Sequence, residues 1–166
     1  MQPCDLFIKT QIDFADAETA LRHIGQQMLA QGVVKASYPE ALLAREAEFP
    51  TGIALERHAV AIPHCSAEHA CRPALYLIRP TAPVPFQQAD DACLVAVSLI
   101  IALIVTDPQQ QLVLLRTLFS QLQEPGFLDA LLSVPDDELG AYFARHLFVP
   151  CPASDLQQKQ PQGVVL

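Results

Sequence analysis

One apolar segment constrains the fold of this chain more than any other feature. Leu94–Val105 is a run of twelve residues in which only Ser98 is polar. A helix that crosses a bilayer needs about 20 apolar residues, so this segment is too short to span a membrane. Its length is typical of a strand that is buried on both faces. A chain of 166 residues with 51% hydrophobic content can cover such a strand within a single domain.

The predicted strands and helices follow one another along the chain in the order β-α-α-β-β-β-α-α-α. Asp16 precedes a helical pattern as an N-cap residue, and Gly32 stands where a left-handed residue would end that helix. Ser37 and Glu40 have the spacing of a capping box, and Asp107 followed by a proline is a strong helix start. The predicted strands are Asp5–Phe14, His58–Ile62, Ala74–Arg79 and Leu94–Val105. The predicted helices are Asp16–Gln31, Ser37–Glu46, Asp107–Leu122, Phe127–Leu132 and Asp136–Phe148.

This order of elements predicts an α/β sandwich, a single domain with a mixed β-sheet flanked by helices. We expect the domain to occupy residues 1–149 and residues 150–166 to form a flexible tail, because prolines interrupt that stretch. The helix after Asp107 carries an apolar stripe that we expect to face the core. The stripe consists of Leu112, Leu115, Phe119 and Leu122.

The charge and cysteine patterns exclude several classes of function. The chain has 10 basic and 18 acidic residues, and its basic residues are scattered, whereas a nucleic-acid-binding protein collects them on one face. Five cysteines without a CxxC pair indicate free thiols in a reducing cytoplasm. Met1–Lys9 lacks the pattern of a signal peptide. We therefore expect a cytoplasmic protein that neither binds nucleic acid nor inserts into a membrane.

A histidine at the end of a predicted strand is the main candidate for chemistry. His64 follows Pro63 at the carboxyl end of the strand, where open α/β sheets tend to bind ligands. A histidine nucleophile needs one neutral ring nitrogen facing out and a hydrogen bond on the other, and a strand end can supply a carbonyl for that bond. Donors nearby could cradle a small dianion. These donors are the Thr51 hydroxyl, the Gly52 N–H, the Cys65 amide, the Ser66 hydroxyl and the Arg45 guanidinium.

Three other interpretations of His64 stay open from the residues alone. It could be a surface histidine without a function. It could act as the base for a Cys65 nucleophile, although an adjacent His-Cys pair does not provide an oriented base. It could belong to a zinc site, although no paired ligand spacing occurs. The other zinc ligands would come from His58, Cys65, His69 and Cys71. Histidines expected on solvated or helical faces are His23, His69 and His146.

Several motifs around His64 resemble a known protein family. They are EFPTGIALERHAVAIPHC at residues 48–65, FQQADD at Phe86–Asp91 and DPQQQLVLL at Asp107–Leu115. These motifs resemble the IIA components of the bacterial sugar phosphotransferase system, and the resemblance covers residues 5–148. The pairing of TG with IPH is specific for the fructose–mannitol–galactitol superfamily. Overall similarity is greatest to its galactitol-specific members.

The resemblance implies a reaction and a set of partners. The phosphocarrier protein HPr donates a phosphoryl group to a histidine that maps onto His64, and the arginine and threonine beside that histidine map onto Arg45 and Thr51. The group then passes to a cysteine of the IIB component, and the sugar is phosphorylated as it enters through the IIC membrane component. No cofactor or metal is implied, because a phosphohistidine donor needs mainly positioning and hydrogen-bond donors around the phosphoryl oxygens.

The sequence departs from many relatives at one position. Gln111 stands where they carry a second histidine, and an amide can donate a hydrogen bond to a phosphoryl oxygen but cannot carry a positive charge. We expect the partners to dock on an apolar patch that includes Ile53, Leu55 and Phe86. The net charge of −8 would suit a basic face on a partner.

Two other functions are alternatives to the transfer of phosphoryl groups from HPr to IIB. One is a regulatory module of the same superfamily that senses phosphorylation and binds a regulator, which a fused regulatory segment would favour. The other is an α/β domain that binds a ligand without any chemistry, which a failure to accept a phosphoryl group would favour.

Overall fold

A computed structural model describes residues 4–124 and 126–147 of the chain. The strands are β1 (Asp5–Thr10), β2 (Gly52–Ala54), β3 (Ala59–Ala61), β4 (Ala74–Arg79), β5 (Val84–Gln87) and β6 (Leu94–Ile104). The helices are α1 (Ala17–Ala30), α2 (Tyr38–Glu48), α3 (Pro108–Leu122), α4 (Phe127–Ser133) and α5 (Asp136–Leu147). A short 3₁₀ turn, Ala67–His69, lies between β3 and β4. None of the described helices is both long enough and apolar enough to cross a bilayer.

The six strands form one mixed sheet with β6 at its centre. The strand order is β1-β4-β6-β3-β2, and β5 pairs with the first residues of β6. β6 runs parallel to β3 and antiparallel to β4 and β5. The prediction of a mixed sheet with Leu94–Val105 as its central strand is confirmed, but the buried part of the strand begins at Val97, and Leu94 is 66% exposed.

Alternate residues of the strands build two separate cores, because successive side chains of a strand point to opposite faces. On β4, Tyr76 and Ile78 pack in one core with α1 and α2, whereas Leu75 and Leu77 pack in the other with α3, α4 and α5. Helices therefore cover both faces of the sheet, as the predicted sandwich requires.

Two helices begin where the sequence predicts, because the side chain of an N-cap residue accepts a hydrogen bond from the first turn. The Asp16 carboxylate accepts a hydrogen bond from the Thr19 N–H at 2.9 Å, and the Asp107 carboxylate accepts one from the Gln109 N–H at 3.1 Å. Gly32 has a φ of 75°, as its predicted place after α1 requires. These parts of the prediction are confirmed.

Four local predictions are wrong. The capping box at Ser37 does not form, because the Ser37 backbone is already helical and its hydroxyl bonds the His69 ring at 2.8 Å. The first strand ends at Thr10 rather than Phe14, because the positive φ of Gln11 turns the chain. The short strands β2 and β5 are both missing from the strands predicted from the sequence. Phe148 and the expected tail, residues 150–166, lie outside the described residues.

The apolar stripe of α3 is also placed differently from the prediction. Leu118 and Leu122 are buried, whereas Leu112 is 49% exposed and Phe119 is 38% exposed. The helix packs on α4 and α5 through the face that carries Leu118, so the predicted stripe lies partly in solvent.

Candidate functional site

His64 lies directly after β3 with its two ring nitrogens in different environments. Nδ1 is 2.8 Å from the carbonyl oxygen of Ile62, at the end of that strand. Because a carbonyl can only accept, Nδ1 carries the proton and Nε2 keeps its lone pair. The half-buried ring therefore presents Nε2 as a nucleophile. This is the carbonyl contact that the sequence predicts for a strand end.

Arg45 brings a fixed positive charge to the free nitrogen. It projects from the last turn of α2, and its Nη2 atom lies 3.4 Å from Nε2 of His64. Its Nη1 atom donates to the carbonyl oxygen of Phe49 at 2.8 Å, and the guanidinium lies 5.0 Å from the centre of the Phe49 ring. These contacts hold the guanidinium beside the position that an anion bound to Nε2 would occupy.

The surroundings of His64 keep its ring neutral. Burial lowers the pKa of His64, and the positive charge of Arg45 lowers it as well, against the opposing effect of the hydrogen bond to Ile62. A neutral ring at pH 7 is the form that can accept a phosphoryl group at Nε2.

We expect His64 to titrate below the ordinary histidine value of 6.5. A lowered pKa means that the nucleophilic neutral form persists to lower pH, so its population falls only as the pH drops below 6.5. Ring-proton chemical shifts followed by NMR between pH 4 and 8 would measure the midpoint. Removing the charge in Arg45→Ala should move the midpoint upward. A midpoint above 6.5 in the unsubstituted protein would contradict this prediction.

Thr51 contacts a buried glutamate that sequence reasoning did not single out. The Thr51 N–H donates to Oε2 of Glu46 at 2.7 Å, and the Thr51 hydroxyl donates to Oε1 at 2.8 Å. Both residues are only 7% exposed. Burial raises the pKa of Glu46, and the two hydrogen bonds from Thr51 oppose that rise. The Thr51 hydroxyl, which the sequence suggests as a donor for a dianion, is thus directed at Glu46, as is the Thr51 N–H.

Gly52 is buried where two segments of backbone come close together. A Cβ atom at this position would lie 2.6 Å from the carbonyl oxygen of Gln87, which belongs to β5. The Gly52 carbonyl also accepts a hydrogen bond from the Ala89 N–H at 2.8 Å. Gly52 therefore has a structural reason to be glycine, besides the phosphate-binding role predicted from the sequence.

Gln111 reaches the site from the first turn of α3. One of its amide hydrogens is donated to the carbonyl oxygen of Cys65 at 3.0 Å, which places the side chain next to the residue that follows His64. Burial raises the pKa of the Cys65 thiol to about 11, so the thiol is neutral at pH 7 and does not suit the role of nucleophile. Ser66 is exposed and begins the 3₁₀ turn.

The histidines of the zinc interpretation have separate partners. His58 bonds Asp129 at 2.8 Å and His69 bonds Ser37, whereas His64 bonds the Ile62 carbonyl. Within residues 4–124 and 126–147, no three potential metal ligands come together. His23 is half-buried rather than solvated, because its Nε2 atom lies 2.7 Å from the Tyr76 hydroxyl.

The predicted docking patch is partly wrong. Phe86 is fully buried in the core between the sheet and α1, and Ile53 and Leu55 are half-buried against the other core. The large apolar side chains exposed near the site are instead Phe49, which supports Arg45, and Leu112, which follows Gln111.

Comparisons with known proteins identify the family of this chain. The family model described as phosphoenolpyruvate-dependent sugar phosphotransferase system, EIIA 2, matches residues 5–144. The galactitol-specific EIIA component of Escherichia coli K12 is 57% identical over 143 residues, which cover 86% of this chain and 95% of that protein.

Solved structures share the fold at much lower sequence identity. A Streptococcus mutans protein described as a PTS IIA (PtxA) aligns with a TM-score of 0.67 at 20% identity, over 84% of this chain and 88% of that one. The mannitol enzyme IIA of Escherichia coli, solved in complex with phosphorylated mannitol enzyme IIB, aligns with a TM-score of 0.63 at 22% identity, over 82% of this chain and 93% of that one. The family match spans most of the described fold, including the strand end that carries His64, and on this ground the chain belongs to the EIIA 2 family of the phosphoenolpyruvate-dependent sugar phosphotransferase system.

Proposed function

We propose that this chain carries phosphoryl groups from HPr to a galactitol-type IIB component, with His64 as the acceptor. The observation that carries the proposal is the state of the His64 ring: Nδ1 is fixed by the Ile62 carbonyl, and the unprotonated Nε2 faces Arg45, whose Nη2 atom lies 3.4 Å away. Membership of the family and the 57% identity to galactitol-specific proteins support the direction of transfer and the sugar class.

The transfer needs little from the protein except position and charge. The Nε2 lone pair of His64 forms a bond to phosphorus while the bond between phosphorus and the donor histidine breaks, and that electron pair stays on the donor. In the second transfer a cysteine thiolate of IIB attacks the same phosphorus, and the lone pair returns to Nε2. Arg45 offers the nearest positive charge to the phosphoryl oxygens, and Gln111 is the candidate for a further donor.

The proposed partners follow from the family and from one relative. HPr would be the donor and a galactitol-type IIB component the acceptor, with the IIC membrane component served indirectly. The mannitol enzyme IIA, which shares this fold and was solved with phosphorylated mannitol enzyme IIB, supports the choice of a IIB component as partner. A cytoplasmic location fits the unoxidised thiols of Cys65, Cys71 and Cys93 and the exchange with HPr.

A reconstituted relay would test the function. The purified chain is incubated with phosphoenolpyruvate, enzyme I and HPr, and its intact mass is followed before and after a galactitol-type IIB component is added. We expect the gain of one phosphoryl group, which is lost again to IIB. A mannitol-type IIB component serves as the matched control for the sugar class. No gain from phospho-HPr would contradict the relay, and equal transfer to both IIB proteins would contradict the galactitol assignment.

A further inference from the structure

Glu46 occupies an unusual position for a carboxylate that does not touch the reacting atoms. It is 7% exposed, it sits on α2 next to Arg45, and its charge partly offsets the positive charge that the site offers to a dianion. Burying a carboxylate is unfavourable unless hydrogen bonds compensate it. The compensation comes from Thr51, which gives it both a backbone and a side-chain donor.

The hydrogen bonds continue from Thr51 to the ring of His64. The Thr51 carbonyl accepts from the Ile62 N–H at 3.4 Å, a contact that extends the pairing of β2 with β3 by one residue. The Ile62 carbonyl then accepts from Nδ1 of His64 at 2.8 Å. A continuous path of hydrogen bonds therefore joins the Glu46 carboxylate to the nitrogen that fixes the tautomer of His64.

The contact with Thr51 suits a glutamate better than a glutamine of similar shape. Both groups that Thr51 directs at Glu46 donate to it; the N–H can only donate, whereas the hydroxyl would have to turn round to accept from a donor on its partner. An ionised carboxylate has two acceptor oxygens, whereas a glutamine of the same size has one acceptor and one donor group. In Glu46→Gln one of the two Thr51 contacts must be lost or reversed.

We propose that Glu46 is a positioning residue for the phosphoryl acceptor: through Thr51 and Ile62 it holds His64 in the Nδ1–H tautomer, while its neighbour Arg45 faces Nε2. The end of α2 thus controls both nitrogens of the ring, one directly and one through the β2–β3 hairpin. This inference rests on the proposed relay function of His64, but it concerns a property of the ring that exists before any transfer.

Four variants test the proposal. Glu46→Gln removes one acceptor, and Glu48→Gln is the matched control, because Glu48 is an exposed residue of the same helix and the change in net charge is identical. Thr51→Val removes the hydroxyl donor, whereas Thr51→Ser keeps both donors. Each variant is checked for folding by circular dichroism and thermal unfolding before use.

Two readouts separate positioning from mere folding. The ¹⁵N shifts of the His64 ring in the unphosphorylated protein report the tautomer, and rapid quenching gives the rate of phosphoryl acceptance from phospho-HPr. We expect Glu46→Gln to show a mixture of tautomers and a rate at least about tenfold lower, since small errors in position slow transfer strongly. Thr51→Val should mix tautomers as well, Thr51→Ser should keep the Nδ1–H form, and Glu48→Gln should match the unsubstituted protein.

The results for these variants decide whether Glu46 positions the His64 ring. A folded Glu46→Gln variant with the Nδ1–H tautomer and an unchanged rate would overturn it. If Glu46→Gln does not fold, the Thr51 pair decides, and identical spectra for valine and serine would overturn the proposal. If the unsubstituted chain accepts nothing from phospho-HPr, the relay function fails, but the tautomer comparison still decides the role of Glu46.

Discussion

Replacing His64 by alanine should abolish phosphoryl acceptance from phospho-HPr while leaving the fold intact. The ring is half-buried after β3, and its polar contacts are the Ile62 carbonyl and Arg45, both of which can bind water once the ring is gone. No other described group near Arg45 offers a free lone pair of comparable nucleophilicity, since the Cys65 thiol is neutral at pH 7. Intact mass after incubation with phosphoenolpyruvate, enzyme I and HPr measures the loss.

His58→Ala is the matched control for this experiment. His58 precedes the same strand and is held by Asp129, away from the Ile62 carbonyl and Arg45. This variant should accept one phosphoryl group, as the unsubstituted chain does. If His64→Ala still gains a phosphoryl group, a different residue is the acceptor and our assignment of the site is wrong.

Gly52→Ala is expected to damage both the stability and the activity of the protein. The new Cβ would lie 2.6 Å from the Gln87 carbonyl oxygen and 3.3 Å from Cβ of Phe86, so β5 must move away from β2. Overpacking of this kind typically costs about 1–3 kcal/mol, which corresponds to a fall in Tm of roughly 3–10 °C. Since Thr51 immediately precedes the displaced residue, acceptance of the phosphoryl group should slow as well.

Gly32→Ala separates the steric effect from the general loss of a glycine. Gly32 has a φ of 75° with no atom within 4 Å of the added Cβ, so only the backbone strain is expected there. This variant should lose some stability and keep its rate of phosphoryl acceptance. Thermal unfolding together with the acceptance rate distinguishes the two glycines, and a Gly52→Ala variant that keeps both values would show that β5 moves aside without cost.

The sequence predicted correctly those elements whose structure is determined by residues close together in the chain. The caps at Asp16 and Asp107, the left-handed Gly32 and the long central strand all depend on neighbours in the chain. The contact of His64 with a strand-end carbonyl is of the same kind, because the acceptor is only two residues away. These features could be predicted without knowledge of the tertiary packing.

The features that the sequence did not predict depend on contacts between residues that are far apart in the chain. β2 has three residues, too few for a periodic pattern, and β5 contains a proline that is tolerated because it lies on an edge strand. Leu112 is exposed because α3 packs against α4 and α5 through the face that carries Leu118. Glu46 belongs to a helix whose sequence gives no sign that this carboxylate, rather than exposed Glu48, would be buried.

The position of β6 also affects how the chain can fold during synthesis. Its three pairing partners, β3, β4 and β5, all precede it in the chain, so they have left the ribosome before β6 emerges. An apolar segment of this length without proline or charge is prone to cross-β aggregation while it is unpaired, and the acidic residues Asp91 and Asp107 on either side oppose such stacking. Synthesis from the N-terminus thus delivers the most aggregation-prone strand into a sheet whose other strands are already present, whereas refolding from denaturant exposes it from the start.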